Sequence, residues 1–435
     1  MQQSLTLISF LGRGSRDRKN NDSYRTVKYR FKDEKVIESS CFPRAVITSK
    51  AYPITQVVLV GTPTSSWSTL LYDGTGELNE ETLNLWEKLE NKTQPPAAKG
   101  LSSADFDELK TVLTKTWKIP VSFLIHDKEL NEKNAMDILM EYCSGIKMED
   151  KNILLDITHG FRWMPALMLS AMQFKSSFPN ALQTIQLLYG EDNGEVRCLD
   201  ILWKGVELSN AINLFFDKFE SASLCNYLKE TDWQSGEKAI RQFGLSMQST
   251  QIVPLKDDRI PQLKNALDDY DALKKTGSSD SSIRLPSWTF PLYKELRKLV
   301  SSLRKYEKQS LFLFHIAELY ADRKLYGQAI VAMSLSYEAL IWEMFGGNYY
   351  DYDETKERKK RLRAQPGKLT KNEVQELAKI DRSRNSIVHG GAESSDTRRG
   401  DMVSSVPSVT NLPNAYQQNH GALERILKKI YGVSN

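Results

Sequence analysis

Residues 153–162, Ile-Leu-Leu-Asp-Ile-Thr-His-Gly-Phe-Arg, decide the fold of this chain. An apolar run rich in β-forming residues ends abruptly at Thr158, His159 and Gly160, and residues 163–174 then show helical spacing of apolar side chains. This pattern predicts a buried strand, a tight turn and the start of a helix. The first backbone N–H groups of a helix lack intrahelical partners and can bind an anion. Because Thr158 and His159 add side-chain donors at the same point, we expect this turn to bind a phosphorylated ligand.

The rest of the first half repeats this alternation of strand and helix. Continuous apolar runs separated by helical segments predict a mostly parallel sheet that is covered on both faces. We therefore predict an α/β domain over residues 1–204, in which the last two strands pair as a hairpin across the turn at 191–194. The predicted strands are 5–11, 56–60, 121–125, 152–157, 184–189 and 196–202, and the predicted helices are 79–90, one starting at Ser102 with Asp105, and 131–143.

Three of the predicted strands end in turns rich in glycine and hydroxyl side chains. In open parallel sheets, ligands bind at the carboxyl ends of the strands, so all three turns point to one ligand-binding edge. Tight strand-to-helix connections explain any one of these turns well, but explain three of them less easily. The candidate ligand-binding residues are Gly12, Arg13, Gly14, Ser15, Gly61, Thr62, Thr158, His159 and Gly160.

Beyond residue 205 the pattern changes to successive helices. Apolar residues show helical spacing over 206–219, 257–275, 311–345 and 415–431. We therefore predict an all-α domain over residues 205–435, in which the part up to about residue 300 is a helical connector.

Composition describes an ordinary soluble globular protein. The 435 residues suit two domains, and the hydrophobic and charged shares are 40% and 26%. Basic residues crowd 13–30 and 356–363, but with 59 basic against 55 acidic residues the net charge is only +4. Solvated surface charge is therefore a better interpretation of either basic run than polyanion binding.

Cysteine usage and hydropathy favour a cytoplasmic protein. The four cysteines are widely spaced and form no CxxC pair, so neither a zinc site nor a disulfide framework is predicted. The apolar run at residues 5–11 is too short for a signal peptide, and no stretch approaches membrane-spanning length. We expect no metal and no cofactor.

A second group of candidate residues, Arg384, Asn385 and His389, is suited to cleaving RNA. Residues 374–388 have helical spacing and two glycines follow His389, which places this histidine in the last turn. In attack of a ribose 2′-hydroxyl on the adjacent phosphate, His389 would transfer protons, Arg384 would balance charge on the phosphorane, and Asn385 would orient either group. This chemistry needs no metal. The alternative is a histidine that only caps its helix.

The spacing of Arg384 and His389 poses a geometric problem. Five residues of helix turn through about 500°, which leaves the two side chains roughly 140° apart around the axis. Either Arg384 reaches across, or two copies of the motif meet in a dimer.

Four other residues were considered as candidates and are not assigned to a site. His126 follows a predicted strand and could line the ligand edge, His315 is expected in the core of its helix, and His420 has no assigned role. Trp67 could stack on a base or simply pack.

Two motifs carry a resemblance to a known family. Residues 155–162 resemble the signature of CRISPR-associated CARF sensors, whose core is D-I-T-H-G-F-R. Arg384, Asn385 and His389 resemble the catalytic motif of HEPN ribonucleases. In this order, they make the chain similar to the CARF–HEPN effector ribonucleases of type III CRISPR systems.

The resemblance implies a Rossmann-like CARF domain that dimerises and binds a cyclic oligoadenylate across the two-fold axis. Its ligand-contacting turns correspond to residues 12–15 and 158–160. Ligand binding would rearrange a C-terminal HEPN dimer, in which Arg384, Asn385 and His389 of both subunits form a composite site that cuts single-stranded RNA. Among members of the family, cyclic tetra-adenylate is the more frequent activator, so we favour it over cyclic hexa-adenylate. Some CARF domains cleave their activator, and the candidates for that reaction are Ser9, Ser15 and His159.

Two alternatives come from other classes of protein. In a non-catalytic sensor, nucleotide binding would control association with nucleic acid or a protein partner, and His389 would be structural. An enzyme with a dinucleotide cofactor is disfavoured, because residues 12–17 lack the third glycine of G-x-G-x-x-G.

Overall fold

The computed structural model describes residues 4–12, 16–17, 23–72, 78–93, 99–127, 130–131, 133–146, 152–160, 163–178, 182, 184–277, 282–346, 351–388 and 411–432. The chain divides into two compact units, residues 1–206 and 207–435. The boundary predicted from the sequence, between residues 204 and 205, lies in the helix that spans this division.

The first unit alternates strands and helices, as its apolar runs predict. Along the chain its elements are β1 (Leu5–Phe10), β2 (Arg16–Asp17), β3 (Ser23–Tyr24), β4 (Val27–Arg30), β5 (Val36–Ser39), α1 (Phe42–Ser49), β6 (Ile54–Gly61), α2 (Glu80–Thr93), α3 (Ser103–Trp117), β7 (Val121–Ile125), α4 (Ala135–Gly145), β8 (Asn152–Asp156), α5 (Trp163–Ser176), β9 (Thr184–Gly190) and β10 (Val196–Cys198).

The main sheet has the strand order β10-β9-β8-β1-β6-β7. All neighbouring strands are parallel except β10, which pairs antiparallel with β9. From β1 the chain proceeds outward to β6 and β7 on one side, and later to β8 and β9 on the other. The predicted mostly parallel sheet is therefore confirmed. Because the direction of travel reverses at β1, a crevice opens between the carboxyl ends of β1 and β8, where such sheets bind ligands.

The central strands are buried on both faces. Leu7 and Leu154 belong to the apolar core on one face of the sheet, and Ile8 and Leu155 belong to the core on the other. Successive side chains of a strand point to opposite faces, so a strand covered on both sides needs an unbroken apolar run.

The start of α3 shows how local sequence fixes an element. Ser102 caps the helix, since its hydroxyl accepts the Asp105 N–H at 3.4 Å. The Asp105 carboxylate accepts the Ser102 N–H at 2.8 Å and the Lys92 ammonium at 2.7 Å. Two orphan N–H groups are thus satisfied reciprocally, as predicted for this pair.

The second unit is helical throughout its described part. Its elements are α6 (Asp200–Lys218), which begins in the first unit, α7 (Ala222–Leu228), α8 (Gln234–Gln248), α9 (Arg259–Gly277), α10 (Thr289–Leu303), α11 (Gln309–Asp322), α12 (Tyr326–Phe345), α13 (Tyr352–Ala364), α14 (Lys371–Val388) and α15 (Leu412–Tyr431). Across all described residues of the chain, no helix has both the length and the apolar content needed to cross a bilayer.

Two predicted elements are wrong in extent. The strand predicted at 196–202 ends at Cys198, because Asp200 begins α6 and its carboxylate accepts the Leu187 N–H at 2.8 Å. The helical stretch predicted at 311–345 is two helices, with Lys324 between them in the left-handed region (φ 59°). Apolar spacing continues across both breaks and so cannot reveal them.

Candidate functional site

A cavity of about 440 Å³ lies at the carboxyl ends of the central strands of the first unit. It occupies the crevice that the reversal at β1 creates. Its described lining residues are Leu11, Gly12, Arg25, Val27, Tyr29, Ser40, Cys41, Ser66, Thr69, Thr158, His159, Gly160, Tyr189, Gly190 and Asp192.

The turn after β8 is fixed by a buried carboxylate. Asp156 is fully buried, accepts the hydroxyl of Ser9, and accepts the Thr158 N–H at 2.8 Å. Burial raises the pKa of Asp156, against the opposing influence of His159 and of these hydrogen bonds. The hydroxyl of Thr158 accepts the Gly190 N–H at 2.8 Å. The same side chain hydrogen-bonds the Asp156 carboxylate, so the Thr158 hydroxyl links the turn to both β8 and β9.

The turns after β1 and β8 approach each other through two glycines. A Cβ atom on Gly12 would lie 3.4 Å from the Gly160 nitrogen. Gly160 has φ +95°, and a Cβ there would lie 2.8 Å from the Cβ of Phe10. Both residues were predicted to bind ligand. The structure adds that a side chain at Gly160 would strain the backbone and crowd the cavity floor.

His159 lines this cavity and carries an unsatisfied ring nitrogen. Its Nε2 atom is buried and has no hydrogen-bond partner among the described residues. Burial lowers the pKa of His159, whereas the charges of Asp156 and Asp192 raise it. Buried polar atoms nearly always have partners, so an orphan nitrogen in a cavity lining is a natural contact for a ligand.

The structure brings together Gly12, Thr158, His159 and Gly160 from the predicted set, but not Gly61 and Thr62. Gly61 is covered by the side chains of Trp67 and Ser65, and the Thr62 N–H donates to the Ser65 hydroxyl at 3.0 Å. The 61–66 turn contributes Ser66 to the cavity instead. Arg13, Gly14 and Ser15 lie outside the described residues.

Several lining residues were missed from the sequence. Arg25 had been assigned to a basic surface run, and Asp192 to the hairpin turn between β9 and β10. Tyr29 and Tyr189 carried no signal at all. Burial raises the pKa of Tyr29, and nearby negative charges including Asp192 act in the same direction.

Three other residues considered from the sequence lie away from this cavity. Ser9 is fully buried beneath Asp156. Trp67 is buried and packs against aromatic rings of the core at 5.0 and 5.3 Å, so it does not present a stacking face. His126 is also buried, with its ring 4.9 Å from that of Trp163 and neither nitrogen bonded in the described part of the chain.

In the second unit, α14 brings Arg384 and Asn385 together. Arg384 is half-buried and its Nη1 donates to the Asn385 Oδ1 at 3.0 Å. His389 lies outside the described residues, so its relation to this pair stays a prediction.

The last turns of α14 are held by neighbouring helices. Asp381 accepts from Lys359 of α13 at 2.8 Å and from Ser334 of α12 at 3.1 Å. Asn419 of α15 donates to Ser383 at 3.1 Å. The helix segment that carries Arg384 is therefore tied to three other helices.

The remaining histidines of the second unit share one carboxylate. Glu318 pairs with His315 at 3.0 Å and with His420 at 3.1 Å. Burial opposes ionisation of Glu318, but the two histidine hydrogen bonds prevail and lower its pKa to about 2. The expectation that His315 is a core residue is wrong, since it is half-buried and paired with Glu318. Within the described parts of both units, no three His, Cys, Asp or Glu residues are grouped so as to hold a metal ion.

The fold and cavity define a Rossmann-like ligand-binding domain. Residues 6–192 match the family model described as "CRISPR system endoribonuclease Csx1, CARF domain". The match spans the strands and turns that form the cavity, so the first unit contains a CRISPR-associated CARF domain. A CARF domain indicates cyclic-oligoadenylate sensing in type III CRISPR defence. No curated protein matches the chain.

Proposed function

We propose that this chain is a cytoplasmic, cyclic-oligoadenylate-activated endoribonuclease of type III CRISPR defence, which cuts single-stranded RNA as a homodimer without a metal. The observation that carries the proposal is the cavity between β1 and β8, inside the matched CARF domain. The favoured activator is cyclic tetra-adenylate.

The cavity suits phosphate groups. His159 has an orphan ring nitrogen, and Arg25 adds a cation at the rim. Gly12 and Gly160 let the turns after β1 and β8 pack against each other beside the cavity. A ring with several phosphates fits two such cavities related by a two-fold axis.

Asp192 is suited to binding an adenine base of the cyclic activator. It is the one carboxylate among the described lining residues, and its charge acts on both Tyr29 and His159. A carboxylate repels phosphate but accepts hydrogen bonds, and the adenine N6 amino group is a donor. We therefore assign Asp192 to the adenine amino group.

This assignment predicts that the wild-type protein binds cyclic tetra-adenylate at least tenfold more tightly than the corresponding tetra-inosinate ring, because inosine presents an acceptor at the same position. The Asp192→Asn protein should bind the two rings within about threefold of each other, since an amide can turn either its oxygen or its nitrogen to the base. Isothermal titration calorimetry measures both affinities.

Glu195→Gln is the matched control, because Glu195 precedes β10 and pairs with Arg30 outside the cavity. It should keep the wild-type preference. Equal weakening of both rings by Asp192→Asn would contradict the base assignment, whereas failure of the wild-type protein to bind either ring would contradict the proposed function itself.

The effector step follows from Arg384, Asn385 and His389. The Arg384–Asn385 hydrogen bond leaves the other nitrogens of the guanidinium available for a phosphorane, and His389 would transfer the 2′-hydroxyl proton. Five residues of ideal helix would leave the side chains of Arg384 and His389 about 140° apart, so a site built from two subunits would suit them better than a site in one. Activation requires the ring to bind the competent dimer more tightly than the resting one.

A further inference from the structure

The connector helices α9 and α10 form a second cavity, of about 340 Å³, that is rich in positive charge. Its polar lining contains four cations but one carboxylate: Lys264, Arg297, Arg304, Lys305 and Asp268. The rest of the lining is Leu267, Val300 and Ser301.

Two of the four cations of this cavity already have carboxylate partners. Arg297 pairs with Asp271 of α9 at 2.9 Å. Lys264 pairs with Asp268 at 2.7 Å, and this hydrogen bond lowers the pKa of Asp268. The charges of Arg297 and Arg304 lower it further. Arg304 and Lys305 are exposed, and within the described part of the chain no carboxylate forms an ion pair with either. The cavity therefore has cationic groups left for an external anion.

Further basic residues lie along the groove between α9 and α10 from Arg304 to Phe290, which we call the α9–α10 seam. Lys274 and Lys294 lie over the Phe290 ring, at 3.9 and 4.5 Å from its centre. Phe290 and Arg304 are fourteen residues apart, which corresponds to about 21 Å of helix. This length accommodates several nucleotides of a single strand.

We propose that the α9–α10 seam is a track for the phosphates of single-stranded RNA. Cations at several positions along a groove can bind successive phosphates of a polyanion, whereas a small anion would occupy only the cavity at one end. The track gives the connector a role in holding substrate. Naming RNA as the polyanion rests on the proposed function.

The test measures binding of a fluorescent twenty-nucleotide RNA by anisotropy, with the full chain carrying His389→Ala so that no RNA is cut. Adding Arg304→Glu and Lys305→Glu should weaken binding at least tenfold and reduce its dependence on salt. Adding Lys229→Glu and Lys238→Glu, which reverses two exposed charges at other helices of the second unit, should change affinity less than twofold.

Equal affinity of the two charge-reversed proteins would overturn the track. The track would also be overturned if inorganic phosphate saturated the cavity, as monitored by NMR chemical shifts, and RNA binding stayed the same. If the wild-type protein binds RNA through this seam but never cleaves it, the track stands and the proposed nuclease fails.

Discussion

Replacing His389 by Ala is expected to reduce activator-dependent RNA cleavage by at least a hundredfold. The reaction needs a group that removes the 2′-hydroxyl proton. Losing such a group lowers the reaction rate by a factor of ~10²–10⁴. The loss should appear in kcat, while binding of the cyclic activator stays at the wild-type affinity because the CARF cavity is unchanged. Single-turnover cleavage of a labelled RNA measures the first quantity, and calorimetry measures the second.

His420→Gln is the matched histidine control. His420 lies in the same unit and is hydrogen-bonded to Glu318, which keeps His315 as its other partner. This variant should cleave within about threefold of wild type. Full cleavage by His389→Ala would remove this histidine from the catalytic site and leave it as a helix cap.

Replacing His159 by Ala is expected to raise the activator concentration for half-maximal cleavage by at least a hundredfold, and to leave basal cleavage unchanged. The buried Nε2 atom lacks a partner, so a ligand phosphate can gain a charge-assisted hydrogen bond there. Such a bond contributes about 1.5–3 kcal/mol, and a ring that contacts two subunits loses two of them. A titration of cleavage rate against activator concentration measures the shift.

Thr158→Ser provides the comparison, because serine keeps the hydroxyl that accepts the Gly190 N–H. It should activate within a few-fold of the wild-type concentration. An unchanged activation curve for His159→Ala would remove this histidine from the ligand site.

The sequence predicts the sheet well because its signal is local. Each central strand lies between two apolar layers, so it appears as an apolar run such as residues 57–60 of β6. The turn after β8 was predicted for the same reason, since strand, turn residues and helix follow one another directly. Asp156 adds what the sequence could not show, namely that its carboxylate ties the turn to Ser9 of the neighbouring strand.

The composition of the cavity was predicted only in part, because membership depends on contacts between distant segments. Gly61 and Thr62 follow the buried part of β6, yet the side chains of Ser65 and Trp67 fold back over them and occupy the Thr62 backbone groups. Arg25 lies in the connection between β3 and β4, and Asp192 lies in the turn between β9 and β10. Neither connection carries a binding signal in the sequence.

The most direct test of the account is cleavage of a fluorescent single-stranded RNA by the purified wild-type protein in EDTA, without ligand, with cyclic tetra-adenylate and with cyclic hexa-adenylate. We predict that cleavage appears with one ring only, with cyclic tetra-adenylate favoured, and persists in the presence of the chelator. RNA that stays intact with both rings, although calorimetry shows that a ring binds, would contradict the ribonuclease and leave a nucleotide sensor.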